Sequence, residues 1–317
     1  MSELVPPDCP LVWTTLRPLN GDREKLRRAL TKLSEDDKGF RVDDEGADGQ
    51  IVIRAMSKLH VDVICERLVR EHNIYVESGR PKIIYLETIR ETSTGEGKFI
   101  TQSGGRGHYA HVVIRIEPNP SKGYKFVDET PEGAITRKYL GPVNQGIQYA
   151  LKAGAVAGCE TTDIKVTLCD GSYHEADSDE AAFESAGFMA MKEAITQANP
   201  VLLEPLMSVE VVCPEDLCGS VLSDLSLRRG RIDGMEGRAG KEVIQATVPL
   251  AEMMTYAKDL LSITQSAGTY SARFAHYEQA PGLPPAGDDR IGVTANKPWK
   301  PKPKHGAEAV EPPWEDS

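Results

Sequence analysis

Two glycine-containing segments come close to known phosphate-binding motifs and are the first candidates for chemistry in this chain of 317 residues. Gly105-Arg106-Gly107, followed by Ala110, fits the glycine fingerprint of dinucleotide-binding proteins. That fingerprint must open a helix, whereas residues 111–117 alternate like a strand. Gly97-Lys98 resembles the end of a P-loop, but Phe99 replaces the serine or threonine that would hold magnesium. The sequence therefore predicts no nucleotide site.

Nucleophilic and metal chemistry have no better candidates. No serine lies in a G-x-S-x-G elbow, and no cysteine lies in a recognisable catalytic signature. His60 and His276 fall beside apolar positions of a predicted helix and a predicted strand, and we interpret both as packing residues. The cysteines lack the two-residue interval of structural zinc sites, and we expect reduced thiols; they are Cys9, Cys65, Cys159, Cys169, Cys213 and Cys218. We expect no enzyme activity, metal or cofactor in this chain.

Composition restricts the class of partner. The chain is 40% hydrophobic and 27% charged, which is ordinary for a globular protein of two or three domains. Its net charge of -11 argues against a protein that binds nucleic acid through a broad basic surface, so any RNA contact must be local. No apolar run approaches the roughly 20 residues of a membrane helix, and no signal peptide is visible. We expect a cytoplasmic protein with no membrane partner.

Two polar loops are unusual in composition. The first, Ser103-Gly104-Gly105-Arg106-Gly107-His108-Tyr109, combines glycines that let a partner approach the backbone with an arginine for phosphate and two rings for stacking. The second spans residues 170–177 and contains Tyr173, His174, Glu175 and Asp177. A flexible hairpin connection and a helix-capping turn explain the same two loops without any function.

Predicted elements place these loops within an internally repeated fold. Residues 11–80 are typical of strand, helix, strand, strand, helix, strand, and the same order recurs over residues 207–274. Each repeat predicts a ferredoxin-like sandwich, with two helices on one face of a four-stranded sheet. The apolar positions assigned to the helices are Leu26, Ala29, Leu30, Leu33, Leu59, Val63, Leu68, Leu217, Val221, Leu222, Leu225, Leu250, Met253, Ala257 and Leu260.

A different α/β pattern lies between the repeats, and a tail follows them. Strands are predicted around Val112 to Ile116 and Ile164 to Leu168, with helices over residues 143–156 and 181–198. Beyond about residue 279 the chain is rich in proline and has no periodic apolar face, so a disordered tail is expected. A short docking motif built on Trp299 or Trp314 is the alternative for that tail.

Several long runs resemble bacterial elongation factor G, a translational GTPase. They are residues 102–118, 166–178, 203–210, 228–236, 248–253 and 276–278. The resemblance implies the third, fourth and fifth domains of that family, with no counterpart of its GTPase domain. GTP would then act only through an absent domain or a separate GTPase chain.

The implied fold class is α+β, with two ferredoxin-like βαββαβ sandwiches flanking a central α/β domain of the ribosomal protein S5 domain 2-like type. The expected limits are an N-terminal lead over residues 1–8, domain III over 9–81, domain IV over 82–204, domain V over 205–279 and the tail over 280–317.

The resemblance also implies ribosome binding. The fourth domain of the family is an arm that mimics tRNA and reaches the decoding region, where ribosomal RNA, tRNA or mRNA would be contacted. The expected RNA-binding residues lie in the two loops and in the fifth domain: Ser103, Gly104, Gly105, Arg106, Gly107, His108, Tyr173, His174, Glu175, Asp177, Arg228, Arg229 and Arg231. For the three arginines, a solvated basic turn is the alternative.

The chain departs from the family pattern at several positions, and some of these departures remove positive charge. His108 and Ala110 replace a family glutamine and glycine, and family arginines are absent around Leu261 and Ser266-Ala267. Each lost phosphate contact weakens binding by about 1 kcal/mol. Three hypotheses therefore stay open: a ribosome-binding factor, including a ribosome-protection type, the rear half of a split GTPase, or a scaffold that no longer binds ribosomes.

Overall fold

The computed structural model describes residues 10–43, 50–103, 106–238 and 240–282, without the side chains of residues 102, 103 and 106. Two compact units share these residues: one contains residues 10–85 and 203–282, and the other contains residues 86–202. Most of the predicted tail and the whole N-terminal lead lie outside the described residues.

The first predicted repeat has the expected ferredoxin-like topology. Its sheet has the strand order β2-β3-β1-β4, and β5, which the sequence assigns to the central domain, also pairs with β1. The elements are β1 (Val12–Pro18), α1 (Arg23–Asp36), β2 (Phe40–Asp43), β3 (Ile51–Ala55), α2 (Lys58–His72), β4 (Val76–Ser78) and β5 (Lys82–Ile83). The domain limits themselves stay predictions.

Helix α2 buries a different face from the one predicted. Leu68 is buried as predicted, but Leu59 and Val63 are 72% and 44% exposed, and Val61 and Ile64 are buried in their place. Ser57 caps the helix by accepting a hydrogen bond from the His60 backbone N–H, so the helix begins at Lys58. Periodicity alone could not choose between the two stripes, because both carry apolar residues.

His60 packs as predicted. Its Nε2 lies 3.0 Å from Asp37 Oδ2, and its ring meets Phe40 edge-on. Burial alone would raise the pKa of Asp37, but the Gly39 N–H and the His60 ring bind the carboxylate and hold its pKa below the ordinary value.

The central domain is a four-stranded sheet with two helices packed together. The sheet has the order β7-β8-β11-β9, in which β9 runs parallel to β11 and the other pairs are antiparallel. Helices α3 and α4 cover the buried face of β8 and β11. The elements are β6 (Leu86–Ile89), β7 (Ser93–Ser103), β8 (Arg106–Pro118), β9 (Lys125–Asp128), α3 (Leu140–Ala153), β10 (Glu160–Thr161), β11 (Ile164–Ser172) and α4 (Glu180–Gln197).

Gly97, part of the rejected P-loop match, has a packing role. A Cβ at Gly97 would lie 1.9 Å from the carbonyl oxygen of Ala186, and one at Gly95 would lie 2.1 Å from that of Ala190. Strand β7 therefore rests directly on the backbone of α4, which only residues without a Cβ permit.

Replacing Gly97 with alanine is expected to lower the free energy of unfolding by about 2 kcal/mol, because β7 and α4 must move apart. Chemical denaturation followed by circular dichroism measures this change. Gly141→Ala in α3 is the matched control, since a Cβ there meets nothing within 4 Å. The control should be neutral or slightly stabilising; equal losses in both variants would contradict the packing role.

The second repeat has the strand order β13-β14-β12-β15, which matches the first repeat position by position. The predicted α+β fold class is confirmed. The elements are β12 (Pro200–Pro214), α5 (Cys218–Leu227), β13 (Arg231–Arg238), β14 (Lys241–Pro249), α6 (Leu250–Met253), α7 (Tyr256–Ile263) and β15 (Thr269–Gln279).

Two sequence predictions for this repeat are wrong. The single helix expected over Leu250 to Leu260 is two short helices, α6 and α7, and Tyr256 is buried in place of Ala257. The break between the helices shifts the helical phase, which a single 3.6-residue period cannot represent. His276 is not a packing residue: its side chain is about half exposed and lies 3.5 Å from Glu278.

Candidate functional site

The hairpin of β7 and β8 forms the first predicted loop. Its outermost described pair joins Ser103 and Arg106. Gly104 and Gly105 lie outside the described residues, as do the side chains of Ser103 and Arg106. On either side of these two glycines, the described backbone of the first loop continues two long paired strands.

The structure brings the second loop against β8. The Tyr109 N–H donates to the Asp177 carbonyl at 2.8 Å, and the Ser178 hydroxyl donates to the Tyr109 carbonyl at 2.7 Å. A Cβ at Gly107 would lie 3.0 Å from the Asp177 carboxyl carbon, so Gly107 allows this close approach. Residues about 70 positions apart in sequence therefore form one surface.

His108 joins this surface to helix α4. Its Nδ1 lies 2.8 Å from Asp179 Oδ2, while Asp179 Oδ1 caps the helix by accepting from the Ala182 N–H at 2.8 Å. The His108 ring therefore has a structural partner, although its side chain is still partly exposed.

His174 is presented on a braced backbone. Its N–H donates to the Ser178 hydroxyl at 2.9 Å, and its carbonyl accepts from the Ser178 N–H at 3.0 Å. Its ring meets Tyr109 edge-on, with 4.4 Å between the ring centroids, and the residue is exposed together with Glu175 and Asp177. This exposed group combines one imidazole with two carboxylates.

Tyr173 faces inward instead. It is half-buried against the core of the central domain, with its ring centroid 6.4 Å from that of Tyr139. Of the two neighbouring rings predicted as contacts, His174 is therefore exposed and Tyr173 is directed toward the core, because successive residues of an extended segment point to opposite sides.

His111 was missed by the sequence-based predictions. Its Nε2 lies 2.8 Å from Glu96 Oε1, and its Nδ1 lies 3.4 Å from the Ser172 hydroxyl, which shares a 2.7 Å hydrogen bond with the Tyr109 hydroxyl. The available signal was the strand period of two, which places Tyr109 and His111 on one face of β8. Tyr109 also contacts the His174 ring, so it links this hydrogen-bonded group to the exposed loop.

Arg228 is an internal residue of the C-terminal repeat. Its guanidinium donates to Asp224 at 2.8 Å, to Asp259 at 2.7 Å and to the Glu252 carbonyl at 2.6 Å. The side chain is 14% exposed and also lies over the Tyr256 ring. The Arg228 donor, helped by the Thr255 hydroxyl, holds the pKa of Asp259 below its usual value.

Arg229 is also held by an internal carboxylate, whereas Arg231 is mostly exposed. Arg229 makes two hydrogen bonds of 2.7 and 2.8 Å to the buried carboxylate of Glu204. Arg231 is 66% exposed beside Asp233, at 3.1 Å. The pKa of Asp233 is lowered chiefly by the Thr247 hydroxyl and also by Arg231. The predicted cluster therefore separates into two structural arginines and one that reaches solvent.

Among the described residues, no group of three or more histidine, cysteine, aspartate or glutamate side chains could hold a metal ion. The five cysteines in this part of the chain are free thiols, and burial raises the pKa of Cys159 to about 12. None of the described helices is long and apolar enough to span a bilayer.

Comparison with known proteins matches every described domain to one family. The model of elongation factor G domain III matches residues 10–80, that of domain IV matches residues 81–199, and that of the C-terminus matches residues 201–286. A crystal structure of a protein from Thermus thermophilus is 38% identical, with a TM-score of 0.65 over 88% of this chain. The present chain covers 42% of that protein. This chain therefore belongs to the elongation factor G family, as domains III, IV and the C-terminal domain over residues 10–286.

Proposed function

We propose that this protein is a ribosome-binding translation factor that directs its domain IV toward the decoding region and its C-terminal domain toward the factor-binding site. The observation that carries the proposal is the braced loop of residues 173–179, which is hydrogen-bonded to β8 and presents His174 to solvent. A rigid loop tip is what recognition of RNA shape requires, since little conformational entropy is lost on binding.

The chemistry at this tip favours hydrogen bonding over general charge attraction. His174 stands beside Glu175 and Asp177, so the exposed second loop carries more negative than positive charge. Phosphate neutralisation would fall to Arg106 in the neighbouring hairpin. A contact of this kind depends on the shape of the RNA and less on salt.

In the C-terminal domain, Arg231 is the arginine suited to phosphate. Arg228 and Arg229 use their guanidinium groups on internal carboxylates, whereas Arg231 projects from the edge strand β13. The proposed contact with ribosomal RNA in this domain is therefore limited to Arg231 among the three.

GTP hydrolysis is proposed to lie outside the described domains. The three matched models are domain III, domain IV and the C-terminus, and none of them is a GTPase domain. A separate GTPase chain is the proposed source of any hydrolysis coupled to this protein, and a cytoplasmic location is proposed for both. Copurification of a translational GTPase with the tagged protein from its native cell tests this part.

Ribosome binding is tested by co-sedimentation of the full chain with 70S ribosomes over a salt series. Arg231→Glu is expected to weaken binding about thirtyfold, since it removes one phosphate contact of about 1 kcal/mol and adds a repulsion of similar size. His174→Ala should weaken binding about fivefold with little change in salt dependence. Lys32→Glu, on the exposed side of α1, is the charge-matched control.

Two results would contradict the proposal. Sedimentation of both variants like the wild type would exclude the proposed contact residues. Absence of wild-type binding at every salt concentration would leave the scaffold hypothesis, in which the fold has acquired a different partner.

A further inference from the structure

Four side chains form one row across the sheet of domain III. In the antiparallel register Arg41 on β2 pairs with Arg54 on β3, Arg54 pairs with Trp13 on β1, and Trp13 pairs with Lys82 on β5. Strands lie about 4.8 Å apart, so the row is about 14 Å long. Neighbouring residues such as Val12 are buried toward the helices, which places the row on the opposite face of the sheet.

This face is basic within an acidic chain. Besides Arg41, Arg54 and Lys82 it carries Arg17 at the end of β1, and the acidic residues on this face of the described strands are Asp43 and Glu77. Arg54 pairs with Asp43 at 2.5 Å, while Arg41 is exposed. Local positive charge is thus concentrated here although the whole chain has a net charge of -11.

Trp13 lies at the centre of the row in a position suited to stacking. It is partly exposed, and the Lys82 ammonium group lies 5.3 Å from the centroid of its ring. The indole N–H is buried and has no hydrogen-bond partner within the described residues. The flexible side chain of Lys82 therefore covers the Trp13 ring, whose own indole N–H remains without a hydrogen-bond partner among the described residues.

We propose that this face of domain III binds a short single strand of RNA, with one base stacked on Trp13 and its phosphates held by Arg41 and Lys82. Lysine side chains are long and flexible, so Lys82 can leave the ring and contact phosphate when a base takes its place. A four-stranded sheet with aromatic residues on its central strands is the arrangement that RNA-recognition motifs use to stack two or three bases.

Other occupants use this row less completely. Duplex RNA offers phosphates but keeps its bases stacked inside, so Trp13 would gain nothing. An acidic peptide would pair with the cations and leave the ring unused. A single strand satisfies both the charges and the aromatic ring. The inference does not depend on ribosome binding, and its test contains no ribosome.

The test follows Trp13 fluorescence in the full chain carrying Trp299→Phe and Trp314→Phe. An octamer of uridine, fluorescein-labelled for a parallel anisotropy measurement, is titrated at several salt concentrations. Binding should quench the fluorescence, and two phosphate contacts predict a slope of log K against log salt of about -1.4. Duplex RNA and an octamer of glutamate are the competing probes.

Variants separate stacking from charge. Trp13→Ala should weaken binding at least about tenfold, whereas Trp13→Phe should retain most of it. Arg41→Glu with Lys82→Glu should weaken binding similarly and remove most of the salt dependence. Lys25→Glu with Lys32→Glu makes the same charge change on α1, on the helix side of the sheet, and should leave binding largely intact. Circular dichroism confirms that each variant is folded.

Several outcomes would overturn the proposal. These are no quenching at low salt, an equal loss in the α1 control, an unchanged affinity in folded Trp13→Ala, or equal binding of duplex RNA or of the glutamate octamer. Equal binding of the glutamate octamer would assign the face to an acidic protein partner.

Discussion

Replacing Glu87 with alanine is expected to lower the free energy of unfolding of the central domain by about 4 kcal/mol. The Glu87 carboxylate is fully buried on β6 and accepts four backbone hydrogen bonds, from Ala155 at 2.6 Å, Val156 at 3.1 Å, Ala157 at 2.8 Å and Cys159 at 3.1 Å. Without it, four N–H groups in one loop lose their acceptors at once.

Glutamine at position 87 should cost less than alanine. Its amide keeps one acceptor oxygen but turns an NH₂ group toward backbone donors, so a loss of about 2 kcal/mol is expected. Chemical denaturation measures both losses, and amide hydrogen exchange at residues 155–159 shows whether the loop opens first. Glu132→Ala, at an exposed position of the same domain, is the control and should change stability by less than about 0.5 kcal/mol.

The interpretation would be wrong if Glu87→Ala resembled Glu132→Ala, or if exchange at residues 155–159 stayed as slow as in the wild type. Either result would mean that the loop is held by packing and that its N–H groups find other acceptors.

Replacing Arg229 with methionine is expected to lower the free energy of unfolding by about 3 kcal/mol, because the buried carboxylate of Glu204 would lose its bidentate partner. The reverse single change, Glu204→Leu, should cost only about 1 kcal/mol, since the Arg229 side chain is 39% exposed and can be hydrated. The two losses differ because the first change leaves a buried carboxylate without a partner, whereas the second leaves a guanidinium that water can reach.

The double variant Arg229→Met with Glu204→Leu provides the control. Replacement of both partners by apolar groups often restores stability, so the double variant should lie close to Glu204→Leu, giving a coupling energy of about 3 kcal/mol in the double-mutant cycle. Strict additivity of the two single changes would show that the ion pair contributes nothing and would contradict the prediction.

The internal ion pairs of Arg228 and Arg229 make these two arginines unsuitable for testing ribosome binding by charge reversal. Reversing Arg228 and Arg229 to glutamate would place like charges against Asp224, Asp259 and Glu204. Loss of ribosome binding in such a variant would report a damaged domain, whereas Arg231→Glu changes an exposed charge.

The site could be predicted only in part. The two loops were identified by composition and resemblance, but the hydrogen bonds from Tyr109 and Ser178 that join them connect positions about 70 residues apart. Arg228 and Arg231 look equivalent in the sequence and differ in exposure, because one follows α5 and the other lies on the edge strand β13. The predicted RNA contacts of all these residues remain predictions.

The sequence by itself determined the types and order of most elements in the two repeats, since local periodicity and caps reflect short-range geometry that each segment carries with it. The repeated strand–helix order and the alternation on β8 and β11 belong to this class. Only the tertiary structure decided which stripe of α2 is buried, why Gly97 has no side chain, and that Glu87 holds a loop. Those outcomes depend on what another segment brings into contact, and burial in a packed interior converts such contacts into several kilocalories per mole.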